Sequence, residues 1–87
     1  MKVNVELFGI PRVRAGVAKV AAAGESLGDV LSDLARRYPQ LGTSCIDGRR
    51  LREGYTVNLG GERFVTDPDT QLEEGDTILL LSLDAGG

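Results

Sequence analysis

The sequence contains no histidine. That absence removes Ser-His-Asp and Cys-His catalysis, histidine metal sites and the usual general base near neutral pH. Cysteine occurs once, at Cys45, so no disulfide can form within the chain, which fits a reducing compartment. A catalytic thiol needs a base or an electropositive setting, and the only cations close to Cys45 in sequence are Arg49 and Arg50. No apolar run approaches the ~20 residues needed to span a bilayer. The opening MKVNVELF alternates instead of forming the apolar block of a signal peptide, so the expected location is cytoplasmic and no membrane partner is expected. A basic stripe of the kind that binds nucleic acid is missing, as is any metal-ligand pattern. Gly60-Gly61-Glu62 lacks the spacing of a phosphate-binding loop.

What is present has the balance of a globular domain. The 87 residues are 41% apolar and 26% charged, which suits one domain with its own core but leaves no room for a deep substrate cleft. The net charge of -3 is unevenly spread. From Glu62 onward come Glu62, Asp67, Asp69, Glu73, Glu74, Asp76 and Asp84 against Arg63 alone. Two readings stand for this acidic half: a solvated face, or attraction to a basic partner surface near the C-terminus.

Hydrophobic periodicity orders the elements. Lys2 to Phe8 alternates with Val3, Val5 and Leu7 on one side, which predicts a half-buried strand. Gly9-Ile10-Pro11 ends it, Arg12 to Gly16 is expected as a loop, and Val17 to Ala22 resumes extended structure as the return of a hairpin. Ser26 with Asp29 resembles a capping box opening a helix near Leu27. Leu27, Val30, Leu31, Leu34, Ala35 and Tyr38 form its apolar stripe, Arg36 and Arg37 suit its C-terminal dipole, and Pro39 stops it. Gln40 to Gly54 reads as a loop with a basic cluster at Arg49, Arg50 and Arg52. Tyr55 to Leu59, Arg63 to Val65 and Thr77 to Leu83 read as strands. The order β-β-α-β-(β)-β, with one amphipathic helix, predicts a two-layer α+β domain over 1–83, followed by a tail at 84–87.

Two features carry the candidate chemistry. The first is Gly86-Gly87. In a chain with 12 glycines among 87 residues, such a pair ends the sequence by chance roughly 2% of the time. A terminal carboxylate reacts only once activated, for example as an acyl-adenylate, and residues lacking Cβ can thread a narrow channel to the activating groups. The second is the last strand. Parity sets Ile78 and Leu80 on one face, and Leu79, Leu81 and Leu83 on the other. One helix layer covers only one set, so the other is expected either to form an apolar partner surface beside the tail or to lie under the Gln40 to Gly54 loop.

These pieces resemble the MoaD/ThiS group of β-grasp sulfur carriers, in its longer MoaD-like branch. The resemblance covers nearly the whole chain. It is carried by the opening Val5-Glu6-Leu7-Phe8-Gly9, by Arg12 to Gly16, and by the helix ending in Tyr38-Pro39. Val57-Asn58, Leu72-x-x-Gly75-Asp76 and the terminal Gly86-Gly87 complete it. It implies a ubiquitin-like β-grasp fold, with a mixed sheet of four to five strands packed on one main helix. It further implies that Gly87 is adenylated by an E1-like enzyme, which uses ATP, and that a persulfide or sulfide source then converts it to a thiocarboxylate. The chain would be a co-substrate rather than an enzyme and would hold no cofactor. By the same resemblance Leu79 and Leu81 form a partner platform, extended by Leu83, Asp84 and Ala85 and leading to Gly86 and Gly87. Partners would be the E1-like enzyme, the sulfur donor and a sulfur-accepting enzyme of molybdopterin, cysteine, thiamine, thio-tRNA or specialised metabolism. Ser82, Leu83 and Asp84 stand where the family often has prolines and an apolar residue. The alternative is a ubiquitin-like protein modifier joined to lysines through the same terminus.

Overall fold

The computed structural model describes residues 1–83. The expected tail residues Asp84, Ala85, Gly86 and Gly87 lie outside the described residues.

Strand β1 (Lys2–Leu7) follows its alternation, burying Val3, Val5 and Leu7. Where a loop was expected, Gly9–Ala15 forms a short helix, α1. Pro11 falls in its first turn, where no donor is required of it. Gly16 ends it at φ 80, giving its N–H to the Arg12 carbonyl at 2.9 Å. Strand β2 (Lys19–Ala23) then returns antiparallel to β1, with Val20 opposite Val5.

Helix α2 (Leu27–Arg37) matches the expected helix. Ser26 caps it, its Oγ accepting the Asp29 N–H at 3.2 Å. Leu27, Val30, Leu31 and Leu34 are fully buried, while Ala35 and Tyr38 pack at the margin of the core. Each such aliphatic side chain contributes about 1.5–3 kcal/mol on burial.

The expected Gln40 to Gly54 loop is largely structured. Pro39 ends α2 and also opens helix α3 (Pro39–Cys45), at the first-turn position that suits proline. A small hairpin follows, β3 (Ile46–Asp47) with β4 (Arg50–Leu51). Leu41, Cys45 and Ile46 are buried in the core. Gly42 lets α3 lie close on α2, because a Cβ there would stand 3.0 Å from the Ala35 Cα.

Strands β5 (Tyr55–Leu59), β6 (Arg63–Val65) and β7 (Thr77–Ser82) complete the main sheet, in the order β2-β1-β7-β5-β6. β1 and β7 run parallel and the other pairings are antiparallel. The result is the expected α+β mixed sheet under one main helix, with β7 in the centre.

Candidate partner-docking face and the C-terminal strand

Register decides which side of β7 faces the helices. Ile78 lies opposite Val5, and Leu80 opposite Leu7 and Val57, all buried in the core. Leu79 and Leu81 therefore turn to the face that carries no helix, where both are only half-buried. Leu83, just past the strand, is 62% exposed. The segment offered above as a cover meets these leucines only at its last residue, where the Gly54 carbonyl accepts the Leu83 N–H. α3 packs with α1 and α2, and the β3–β4 hairpin lies against α2, on the helical side.

The open face holds residues from distant parts of the chain. Glu6 lies opposite Leu79, Leu79 opposite Asn58, and Asn58 opposite Phe64, forming one row across four strands. A second row sets Leu81 against Thr56. Phe8 follows β1 with extended backbone, and its N–H bonds the Leu80 carbonyl at 3.0 Å, so it stands beside Leu81. Phe8 and Phe64 are both exposed, Phe64 by 64%. The apolar patch is thus wider than Leu79, Leu81 and Leu83. Phe8 was legible in sequence, since the alternation of β1 puts it on the polar side. Phe64 and Asn58 reach the patch only through the pairing of β5 with β6 and β7.

Asn58 is the anomaly of this face. It is only 9% exposed, and its Oδ1 has no hydrogen-bond partner among the described residues. Leaving such an acceptor unsatisfied costs about 1–3 kcal/mol.

The end of β7 that leads to residue 84 is held on its β5 side. Ser82 pairs with Tyr55, and the Leu83 N–H bonds the Gly54 carbonyl at 2.7 Å. The acidic half of the sequence clusters away from this end. Glu73, Glu74 and Asp76 belong to the turn that feeds the start of β7, where Glu74 accepts the Lys2 N–H at 3.0 Å. The strand between spans about 20 Å. The helix at the tail end, α1, carries Arg12 and Arg14 and no acid. Glu73, Glu74 and Asp76 therefore offer a basic partner surface nothing beside the tail, and Asp84, the remaining acid there, lies outside the described residues.

The basic cluster is also dispersed. Arg49 folds over the start of α2, with Nη2 3.1 Å from Ser26 Oγ and 3.4 Å from Asp29, and Nη1 3.8 Å from Asp69. Desolvation at this packed helix end works to raise the Asp29 pKa. Hydrogen bonds with Arg49 and Ser26 outweigh it and hold the carboxyl below its ordinary value. Arg52 donates instead to the Thr43 carbonyl at 3.1 Å. Cys45 is fully buried in the core. Among the described residues no group of side chains could hold a metal ion, and no helix is long and apolar enough to cross a membrane.

The model of the ThiS family matches residues 5–87. The chain belongs to the ThiS family. A comparison with curated proteins gave no match. Among solved structures, small archaeal modifier protein 1 of Methanosarcina acetivorans is 26% identical, with coverage of 99% of this chain and 96% of that one and a TM-score of 0.79. CysO of Mycobacterium tuberculosis is 25% identical, covering 92% and 97%, with a TM-score of 0.76. The BexX/CysO complex of Amycolatopsis orientalis contains a chain 22% identical to this one, covering 98% and 99%, with a TM-score of 0.81. This ThiS-family chain therefore has the ubiquitin-like β-grasp fold and falls among small sulfur carriers and related modifiers, not among catalysts.

Proposed function

We propose that this protein carries sulfur as a thiocarboxylate on Gly87. The Gly87 carboxylate attacks the α-phosphorus of ATP in the site of an E1-like enzyme, releasing pyrophosphate and leaving an acyl-adenylate. Sulfide, or a persulfide together with a thiol reductant, then replaces AMP. The carrier docks on a sulfur-accepting enzyme, presents its tail, and regains the carboxylate after transfer. The protein needs no cofactor of its own, because ATP is a substrate of the activating enzyme. It acts as a cytoplasmic co-substrate. Leu79, Leu81 and Leu83 make the docking contact, and Asp84 and Ala85 lead to Gly86 and Gly87.

The observation that carries this reading is the family match running through residue 87, at the end of a strand whose outer face is apolar and uncovered by a helix. Intact-protein mass tests it. After incubation with the cognate E1-like enzyme, ATP and a sulfur donor, replacement of one oxygen by sulfur adds about 16 mass units. Deletion of Gly87 abolishes the gain. If the full chain never gains that mass, the proposal fails.

Likeness to an archaeal modifier favours a second reading, in which the same adenylate passes to a lysine amine on another protein. Its mark is a remnant of the tail on lysines of tryptic peptides from cell lysate. Lys2 and Lys19 are the only lysines of this chain, so chains of self-conjugates have few points of attachment.

A further inference from the structure

The charges of the domain separate along β7. Where β7 starts, Gly75 donates to the Lys2 carbonyl and Gly60 to the Thr77 carbonyl, which gathers two turns at that end. Those turns carry Glu62, Glu73, Glu74 and Asp76, and the link into α2 adds Glu25. The other end, where the chain leaves toward residue 84, has the opposite sign. Arg12 and Arg14 lie on α1, which follows Phe8 and its bond to the Leu80 carbonyl. Arg36 and Arg37 finish α2, and Arg52 gives its Nε–H to the Thr43 carbonyl. Arg14 borders two adjoining grooves, one shared with Arg37 and Tyr38, the other with Thr43 and Ser44. Two carboxylates oppose these five arginines among the described residues. Asp33 is taken up by Arg36 and Arg37, and Glu53 is exposed beside Gly54. Arg12 and Arg14 are exposed and make no ion pair among the described residues. Over the ~20 Å of the strand, this separation gives the domain a dipole whose positive end faces the way the chain leaves.

The length of the chain beyond Leu83 says what must meet this end. Four residues follow it, and four residues reach no more than about 14 Å. An enzyme that takes hold of Gly87 therefore has to come against the arginines. We propose that the basic end, through Arg12 and Arg14, docks on an acidic protein surface around the mouth of the channel that receives the tail. This rests on the carrier reading and adds the chemistry of the receiving surface. The channel itself has to accept a carboxylate, so the acids belong on its rim, where they meet arginine and not Gly87. Ile10, Val13 and Leu83 are exposed at the same end and give the contact an apolar share. A polyphosphate such as RNA would also attract these arginines, but it has no channel for the tail. Attraction between opposite charges at the edge of a contact acts on the rate and orientation of encounter, and it weakens with salt. It shows in KM for the carrier and leaves kcat alone.

The test is ATP–pyrophosphate exchange by the cognate E1-like enzyme, which takes the tail first in either of its fates, as the carrier concentration is varied. For wild type, KM for the carrier is expected to rise several-fold between about 0.02 M and about 0.3 M salt. Arg12→Glu/Arg14→Glu is expected to raise KM on the order of tenfold or more at low salt with kcat unchanged, and the gap should close at high salt. Lys2→Glu/Arg63→Glu makes the same change of net charge at the far end and should hold KM within about threefold of wild type. Thermal melts accompany both pairs. Should the glutamates unfold the domain, Arg12→Gln/Arg14→Gln carries the same test, with KM raised about threefold or more. An unchanged KM for the folded Arg12 and Arg14 variants overturns the proposal, as does a KM for wild type that ignores salt. An equal rise for the two double variants also overturns it, because net charge is then the cause. If the Arg12 and Arg14 variants lose affinity for bulk tRNA while KM holds, this end is a nucleic-acid surface and the proposal falls. Exchange with wild type but no effect of the arginines leaves the carrier reading standing, whereas absence of any exchange with wild type overturns both.

Discussion

Asp33 and Arg37, one turn apart on α2, together close the outer edge of β2. Asp33 Oδ2 accepts the Ala23 N–H at 3.1 Å and the Arg37 guanidinium at 2.8 Å. Arg37 Nη1 donates in turn to the Ala21 carbonyl at 2.9 Å. The bonds between the strands run through Ala18 and Gly24, so by alternation Ala21 and Ala23 point their backbone groups away from the sheet. Those outward groups would template another chain, and the ion pair occupies two of them.

Asp33→Ala should therefore act twice. Losing a carboxylate that the Ala23 N–H, Arg37 and Arg36 all contact costs about 1–2 kcal/mol, and each kcal/mol lowers the Tm of a domain this size by about 4–8 °C. The freed edge should also promote association, seen as an earlier-eluting species on size exclusion at high concentration.

Acid should reveal the same carboxyl. Desolvation works to raise the Asp33 pKa, but the Ala23 N–H and Arg37 outweigh it, and the folded value lies below the ordinary one. The contribution to stability is thus complete above the unfolded value of about 4 and is lost as pH falls through the lower folded value. Denaturation midpoints measured from pH 6 to pH 2 should show a flatter acid limb for Asp33→Asn than for wild type.

Leu80 and Leu81 are adjacent in sequence and opposite in consequence. Leu81→Asp should keep a cooperative melt, at a cost of about 1 kcal/mol for a poor strand former on the open face, while weakening partner binding. Leu80→Asp buries an unpaired charge and should leave no cooperative transition. Circular dichroism melts of the pair check the assignment of faces.

Gly42→Ala sets two helical effects against each other. Alanine gains about 1 kcal/mol in helix propensity, but its Cβ would press on the Ala35 backbone at 3.0 Å. Forcing α3 away from α2 costs about 1–3 kcal/mol. A net fall in Tm is expected, with hydrogen exchange accelerated in α3 before the sheet.

Arg49→Ala should loosen the β3–β4 hairpin from α2. Arg49 is half exposed, so its ion pairs contribute no more than about 1 kcal/mol and weaken in salt. The expected difference from wild type shrinks in 1 M salt.

The sequence announced what repeats. The stripe from Leu27 to Tyr38 and the alternation of β1 and β7 each span enough residues to reveal their period; parity separated Leu79 and Leu81 from Ile78 and Leu80, and the family resemblance indicated which set faces out. α1 and α3 did not announce themselves. Each has seven residues, under two turns, and α1 buries only Pro11. Gly42 looked like a loop residue because its purpose is a contact with Ala35, which no local pattern encodes. The open apolar face was half legible for the same reason. Leu79 and Leu81 lie within one strand, whereas Phe64 and Asn58 join them through pairings between strands, and Glu73, Glu74 and Asp76 sit at the far end of β7.

The central place of β7 has a mechanical consequence. The strand is held by β1 as far as Leu80, which accepts the Phe8 N–H, and by β5 and Gly54 as far as Leu83. A pull applied beyond Leu83 runs along the strand axis and loads these crosslinks in shear, together, rather than unzipping them one at a time. Under such a load the sheet gives way as a block, and the domain behind Leu83 serves as an anchor.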